Sequence, residues 1–250
     1  MKLKNTLLPV LWAAGILALC PGASRAWYDE THLAIARAAG YPKWFNAAGA
    51  DLTKLKAHDR EAHNHYVNNP PGTRVTPEMV LKQAARYNRK DEAGHLYGAI
   101  IASVRDYLDN VREGKYGEYH LAFCAHYVGD LSQPLHNTRY NDFNRTHHRT
   151  IDGLINREVL ENLDRIQIFP VSIDSEYDLA RAIAHLANRS IELGYTLEAE
   201  DRLLTRDEAY LQISHSASLF KAILDYVDHP RRRHGAAQRQ IRQTADAVMP

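Results

Sequence analysis

The segment from Glu118 to Leu131 limits the possible folds of this chain more than any other. Leu121, Phe123, Cys124, Tyr127, Val128 and Leu131 spread apolar groups nearly all round a helix, and such a helix belongs at the centre of a bundle. Yet it carries His126 and Asp130, whose four-residue spacing puts their Cβ atoms about 5 to 6 Å apart on one face. Burying both without partners is costly. A cation held between them satisfies the pair, and so does a plain buried His–Asp hydrogen bond. Pro134 ends the helix, and His136 follows in the turn beyond it. His148 and Asp152 then repeat the spacing, so two His-x-x-x-Asp pairs fall within the 27 residues from His126 to Asp152. Such a concentration points to a metal centre.

Helical spacing dominates the rest of the chain, and strand signals are nearly absent. Tyr97, Ile100, Ile101, Val104, Leu108 and Val111 form one helical face; Ala180, Ile183, Ala184, Ala187 and Ile191 form another. Tyr210, Ile213, Ala217, Phe220, Leu224 and Val227 form a third, behind a capping box of Thr205 and Glu208. Thr76 before Pro77 opens a further helix. Asn64–Gly72 and Pro134–His147, rich in Asn, Pro and Gly, read as irregular loops. The expected fold is all-α, a single-domain multi-helix bundle, and 250 residues suffice for one full core.

Lys2 and Lys4, an apolar run from Leu7 to Leu19, and Ser24-Arg25-Ala26 mark residues 1–26 as a removable signal peptide, with the mature chain starting at Trp27. The protein is therefore expected to be exported, periplasmic or secreted. Lipidation at Cys20 is the competing reading, and the bulky Leu19 before it fits that poorly. Taking Lys2, Lys4 and Arg25 from 31 basic residues leaves 28 against 30 acidic ones, a mature chain near −2. Attraction for an anion must then be local. Cys124 is left as the one mature thiol, expected to be a buried small hydrophobe. The domain spans 27–228. Residues 229–250, with Arg231, Arg232, Arg233, Arg239 and Arg242, read as a basic, flexible tail open to a transient membrane-surface or nucleic-acid contact.

Spacing selects among the 14 histidines. Beside the two pairs and His136, His65 lies 14 residues after Asp51, with Asp59 a nearer acid, and His32 lies close to the new terminus. Imidazole and carboxylate together suit zinc. A freed α-amine at Trp27 can add a chelate through its nitrogen and its own carbonyl oxygen.

In this order, Trp27, His32, Asp51, His65, His126, Asp130, His136, His148 and Asp152 resemble the zinc-dependent phospholipase C and single-strand-specific nuclease superfamily, over nearly the whole mature chain to about Val227. His-Tyr-Val-Gly-Asp-Leu-Ser-Gln-Pro-Leu-His, residues 126–136, is similar to its signature. The resemblance implies a trinuclear zinc site and hydrolysis of a phosphodiester by metal-activated water. Asp51, His65, His126 and Asp130 would hold one Zn²⁺; His136, His148 and Asp152 a second; Trp27, His32 and a shared Asp130 the third. His148 is favoured over His147, since an acid follows it by four. Asp51 would also orient the attacking water as the catalytic base.

The metal core is common to both branches, so other positions must indicate the substrate. Glu30 matches an acid that in the phospholipases helps hold the choline ammonium, while the positions expected to carry caging aromatics read Leu52 and Ala62. Tyr66, after His65, could stack a base in the nuclease branch. A mature chain of about 224 residues without a disulfide pair resembles the bacterial phospholipases more than the fungal nucleases. Phospholipid is thus the preferred substrate, with single-stranded nucleic acid as the alternative and a zinc-stabilised binding protein without turnover as a third reading.

Overall fold

A computed structural model describes the backbone of residues 27–57 and 59–246, with side chains over 27–53 and 60–228. Residues 1–26, read above as a signal peptide, lie outside the described residues. Helices account for the regular structure: α1 (Asp29–Ala38), α2 (Gly49–Ala57), α3 (Asp59–Ala62), α4 (Pro77–Gln83), α5 (Leu96–Arg112), α6 (Glu118–Ser132), α7 (Asp142–Asp152), α8 (Glu176–Ala199) and α9 (Arg206–Asp246). Among the described residues the β-type pairing is one isolated bridge, Val67 to Gly94. The all-α expectation holds.

The apolar girdle of α6 places it at the centre, in contact with α1, α2, α5, α8 and α9. From Cys124 to Ser132 every residue of it is buried. Ending a helix in the core would strand its last four carbonyls, and neighbouring groups meet each of them. Ser132 Oγ donates to Gly129 O at 2.9 Å, and Gln133 N donates to Asp130 O at 3.0 Å. Leu131 O accepts from Asn137 Nδ2 at 3.0 Å and from Ser190 Oγ of α8 at 2.7 Å; Ser132 O accepts from Gln212 Nε2 of α9 at 2.8 Å. The end of α6 is thereby fixed to the two longest helices, and with it the direction in which Asp130 points.

The local signals behave as their chemistry dictates. Thr76 Oγ1 accepts from Met79 N at 3.3 Å with Pro77 in the first turn of α4. Thr205 and Glu208 close their capping box in both directions, Glu208 N to Thr205 Oγ1 at 3.2 Å and Thr205 N to Glu208 Oε2 at 2.9 Å. Burial pushes the thiol of Cys124 up to about 12. Two segments differ from expectation. Pro134–Asn137 is a 3₁₀ turn, and residues 142–147 belong to α7 rather than to a loop. Polar residues conceal this helix: its N-cap is Asn141, accepting from Asn144 N at 3.0 Å, and its buried face is Asn144, His148, Ile151 and Asp152. In the tail, the backbone of 229–246 continues α9 past Pro230.

Candidate metal centre

Three groups of imidazole and carboxylate donors converge, each within 4.8 Å: His32 with His126 and Asp130; Asp51 with His65 and His126; His136 with His148 and Asp152. The first two share His126 and form one larger cluster. Asp130, fully buried, is its hub. Its Oδ1 lies 3.4 Å from His32 Nε2, and its Oδ2 lies 2.8 Å from His65 Nδ1 and 3.6 Å from His126 Nε2. Asp51, in the first turn of α2, brings Oδ1 to 3.7 Å from His126 Nε2. Its side chain is 18% exposed while Asp130 is sealed, so Asp51 is the carboxylate of this cluster that meets solvent.

Gly129 explains how His32 enters. A Cβ at this position would stand 2.4 Å from His32 Nδ1. Its absence lets the His32 ring lie on that of His126, with centroids 3.7 Å apart and planes 14° from parallel. The glycine between His126 and Asp130 thus makes room for a third ligand from α1.

The second cluster is built locally. His136 sits in the 3₁₀ turn behind α6, and His148 and Asp152 stand four apart on α7. His148 Nε2 lies 3.0 Å from His136 Nε2 and 3.4 Å from Asp152 Oδ2. Gln133 sets the turn, its Oε1 accepting from Leu135 N and, at 3.3 Å, from His136 N, while its Nε2 donates to Asp152 Oδ1. This gives a physical role to the Gln-Pro within the 126–136 stretch.

The tautomers show whether a cation fits. His126 Nδ1 donates to Ala47 O at 3.0 Å, and His136 Nδ1 donates to His65 O, so their Nε2 atoms present lone pairs when the rings are neutral. His148 Nδ1 faces Asn144 Oδ1 at 2.7 Å. That amide is oriented by its Nδ2, which donates to Leu135 O at 2.7 Å. His148 Nε2 is then an acceptor as well. Two imidazole lone pairs and a carboxylate converge in the second cluster; in the first, the His126 lone pair faces two carboxylates. Acceptors turned on one another in a dry interior call for a positive charge among them, and this donor set suits zinc.

Eight of the nine residues singled out as metal ligands enter these clusters through their side chains; the ninth is Trp27, proposed to act through its main chain. Its buried indole Nε1 donates to Ser132 Oγ at 3.3 Å, and the next residue, Tyr28, donates its backbone N–H to Asp152 O at 3.3 Å. The start of the described chain is therefore anchored beside the end of α6 and the last residue of α7. His148 is buried, whereas His147 packs its half-buried ring on Phe143 at 4.7 Å, which separates the two neighbours. The two expected substrate contacts lie outside the clusters. Glu30 is exposed and accepts from Asn156 Nδ2; Tyr66 is half-buried with its hydroxyl 2.8 Å from His63 Nδ1. Burial, then Asp91 and Glu92, raise the pKa of that phenol.

Sequence reasoning missed several polar residues that contact the donors of these clusters. Asn144 and Gln133 are two of them, and Glu61 is a third, its carboxylate 3.4 Å from His65 Nε2. A signal existed for two: Asn144 precedes His148 by four and Glu61 precedes His65 by four, the helical spacing of the ligand pairs themselves. Comparison with known protein families and with curated proteins gives no match for this chain.

Proposed function

We propose that the protein is an exported, trinuclear zinc hydrolase of phosphodiesters, acting on phospholipid head groups as a phospholipase C. The observation that carries this reading is the joined pair of donor groups on Asp130 and His126, with the His136–His148–Asp152 group beside it in the chain. Three Zn²⁺ held there would bring +6 against −3 from Asp51, Asp130 and Asp152, leaving about +3 in a poorly solvated place. That charge would draw a phosphodiester anion to a chain that, from Trp27 onward, carries 28 basic against 30 acidic residues. Zinc held by these residues would lower the pKa of a bound water to about 7 and offset charge on the phosphate oxygens.

The chain's own residues divide the remaining work. Asp51 Oδ, open to solvent, orients the attacking water and takes its proton. Asp130, sealed and shared, keeps His32, His65 and His126 in mutual register. Lipid is preferred because Leu52, the residue after the solvent-facing Asp51, is 63% exposed and sets an apolar side chain at the surface beside it. Glu30, exposed two residues before His32, offers a carboxylate for a cationic head group.

Single-stranded nucleic acid is the second reading, and one feature favours it. Tyr116, Tyr119 and Phe123 form a row of rings at 6.4 and 6.3 Å that continues to Tyr127 at 6.5 Å, with Lys43 Nζ 5.2 Å from the Tyr116 ring centroid. Bases stack on such rows. The deciding experiment assays zinc-loaded protein, starting at Trp27, on phosphatidylcholine and on single-stranded DNA. Diacylglycerol release without nucleotide release is expected; the reverse selects the nuclease, and turnover of neither overturns the proposal.

A further inference from the structure

We infer that Glu61 is a positioning residue of the metal centre, the carboxylate that holds His65 in its metal-binding orientation; this rests on the zinc reading above. Each of the other clearly oriented site histidines has one ring nitrogen directed at an oxygen acceptor. For His126 it is Ala47 O, for His136 it is His65 O, and for His148 it is Asn144 Oδ1. His65 differs in having a carboxylate on each side, Asp130 Oδ2 at 2.8 Å from Nδ1 and Glu61 Oε1 at 3.4 Å from Nε2. A neutral imidazole carries one N–H and cannot donate to both. With a cation on the Nδ1 side, at Asp130 Oδ2, which His126 Nε2 also approaches at 3.6 Å, the remaining proton sits on Nε2 and is donated to Glu61. This completes a carboxylate–histidine–metal chain, in which the outer carboxylate fixes the ring and makes it a stronger base.

Glu61 is built for this place. Its side chain is 4% exposed, and neutral donors fill its other lone pairs: Tyr127 hydroxyl to Oε1 at 2.6 Å and Asn64 Nδ2 to Oε2 at 2.9 Å. Tyr127 stays a donor, since burial, Tyr87 and Glu61 itself hold its phenol well above the ordinary range. Asn64 is locked in turn, its Oδ1 accepting from Asn88 N at 3.2 Å. Glu61 thereby adds a fourth negative charge, and the net charge of the loaded centre becomes about +2.

The test compares zinc affinity of the wild type and Glu61→Gln, by chelator competition and metal counting without any substrate. Glutamine keeps the acceptor for Tyr127 and removes the charge. The expected result is about a 10- to 100-fold weaker hold on one zinc, the others unchanged, with helicity retained. Equal affinity overturns the inference. Should Glu61→Gln not fold, ¹⁵N spectra of the zinc-loaded wild type decide: His65 metallated at Nδ1 and protonated at Nε2 supports the role, and the opposite tautomer refutes it. A wild type that binds no zinc fails the zinc reading instead, which keeps the two outcomes apart.

Discussion

The two halves of the candidate centre are assembled by opposite routes. The His136–His148–Asp152 group comes from 17 consecutive residues, a 3₁₀ turn and the helix after it, with Gln133 and Asn144 a few residues away as its supports. The group around Asp130 draws His32 from α1, Asp51 from α2, His65 from the segment after α3, and His126 and Asp130 from α6. One is set chiefly by local geometry, with its His136 ring held also by His65 O, and the other by packing. The local group should therefore tolerate changes elsewhere in the bundle, while the distributed one should report any change in how α1, α2 and α6 meet.

Asp130→Asn should produce the largest effect. The variant keeps the volume of the hub and loses its charge, so zinc counting should show more than one ion gone and phosphodiesterase activity down by at least about 10³-fold. Retention of full stoichiometry would mean that the two groups around Asp130 are not joined as described. His148→Ala should act more narrowly, removing one ion and about 100-fold in rate while the Asp130 side keeps its metal. Loss of every ion from this variant would show that the halves are not separable.

Gly129→Ala tests packing alone. The added Cβ meets His32 Nδ1 at 2.4 Å, and the crowding should cost about 1 to 3 kcal/mol in denaturant unfolding and displace His32 selectively. The smallest effect expected is a difference in pH response between the supports. Beneath the Asp130 side lies His95, fully buried with Nε2 2.9 Å from Asn64 Oδ1; burial, opposed by Asp91, lowers its pKa to about 4. The unfolded chain takes up that proton near pH 6.5 and the folded chain does not until about 4, so stability is present above 6.5 and declines toward 4. In metal-free protein this should amount to about 2 kcal/mol, measured by urea unfolding across that window, and His95→Gln should flatten it. Beneath the other side stand the amides of Gln133 and Asn144, which do not titrate and add nothing of this kind.

Much of this was legible in the residues, for identifiable reasons. Asp130 and His126 stood out because polar groups on an all-apolar helix need a reason, and four-residue spacing is a direct statement about one helical face. The helices α5, α8 and α9 declared themselves through the same periodicity. Helix α7 did not, because Asn141, Asn144, His147 and Arg149 give it a polar composition, and its buried face holds ligands and their supports rather than leucines. Glu61 escaped attention for a related reason: an acid four residues before a histidine is common on solvated helices, and only burial distinguishes this one.

The sequence by itself determined that α6 is central, that it carries donors on one face, and that a second set of donors follows within a turn and a helix. Those are matters of period and short-range chain geometry. Only the tertiary structure decided that His32 stacks on His126 over Gly129, that Asp51 reaches His126 while staying open to solvent, and that His65 meets Asp130. Each joins residues separated by dozens of positions, and such pairings are fixed by which apolar faces pack together, a choice that spacing along the chain does not record.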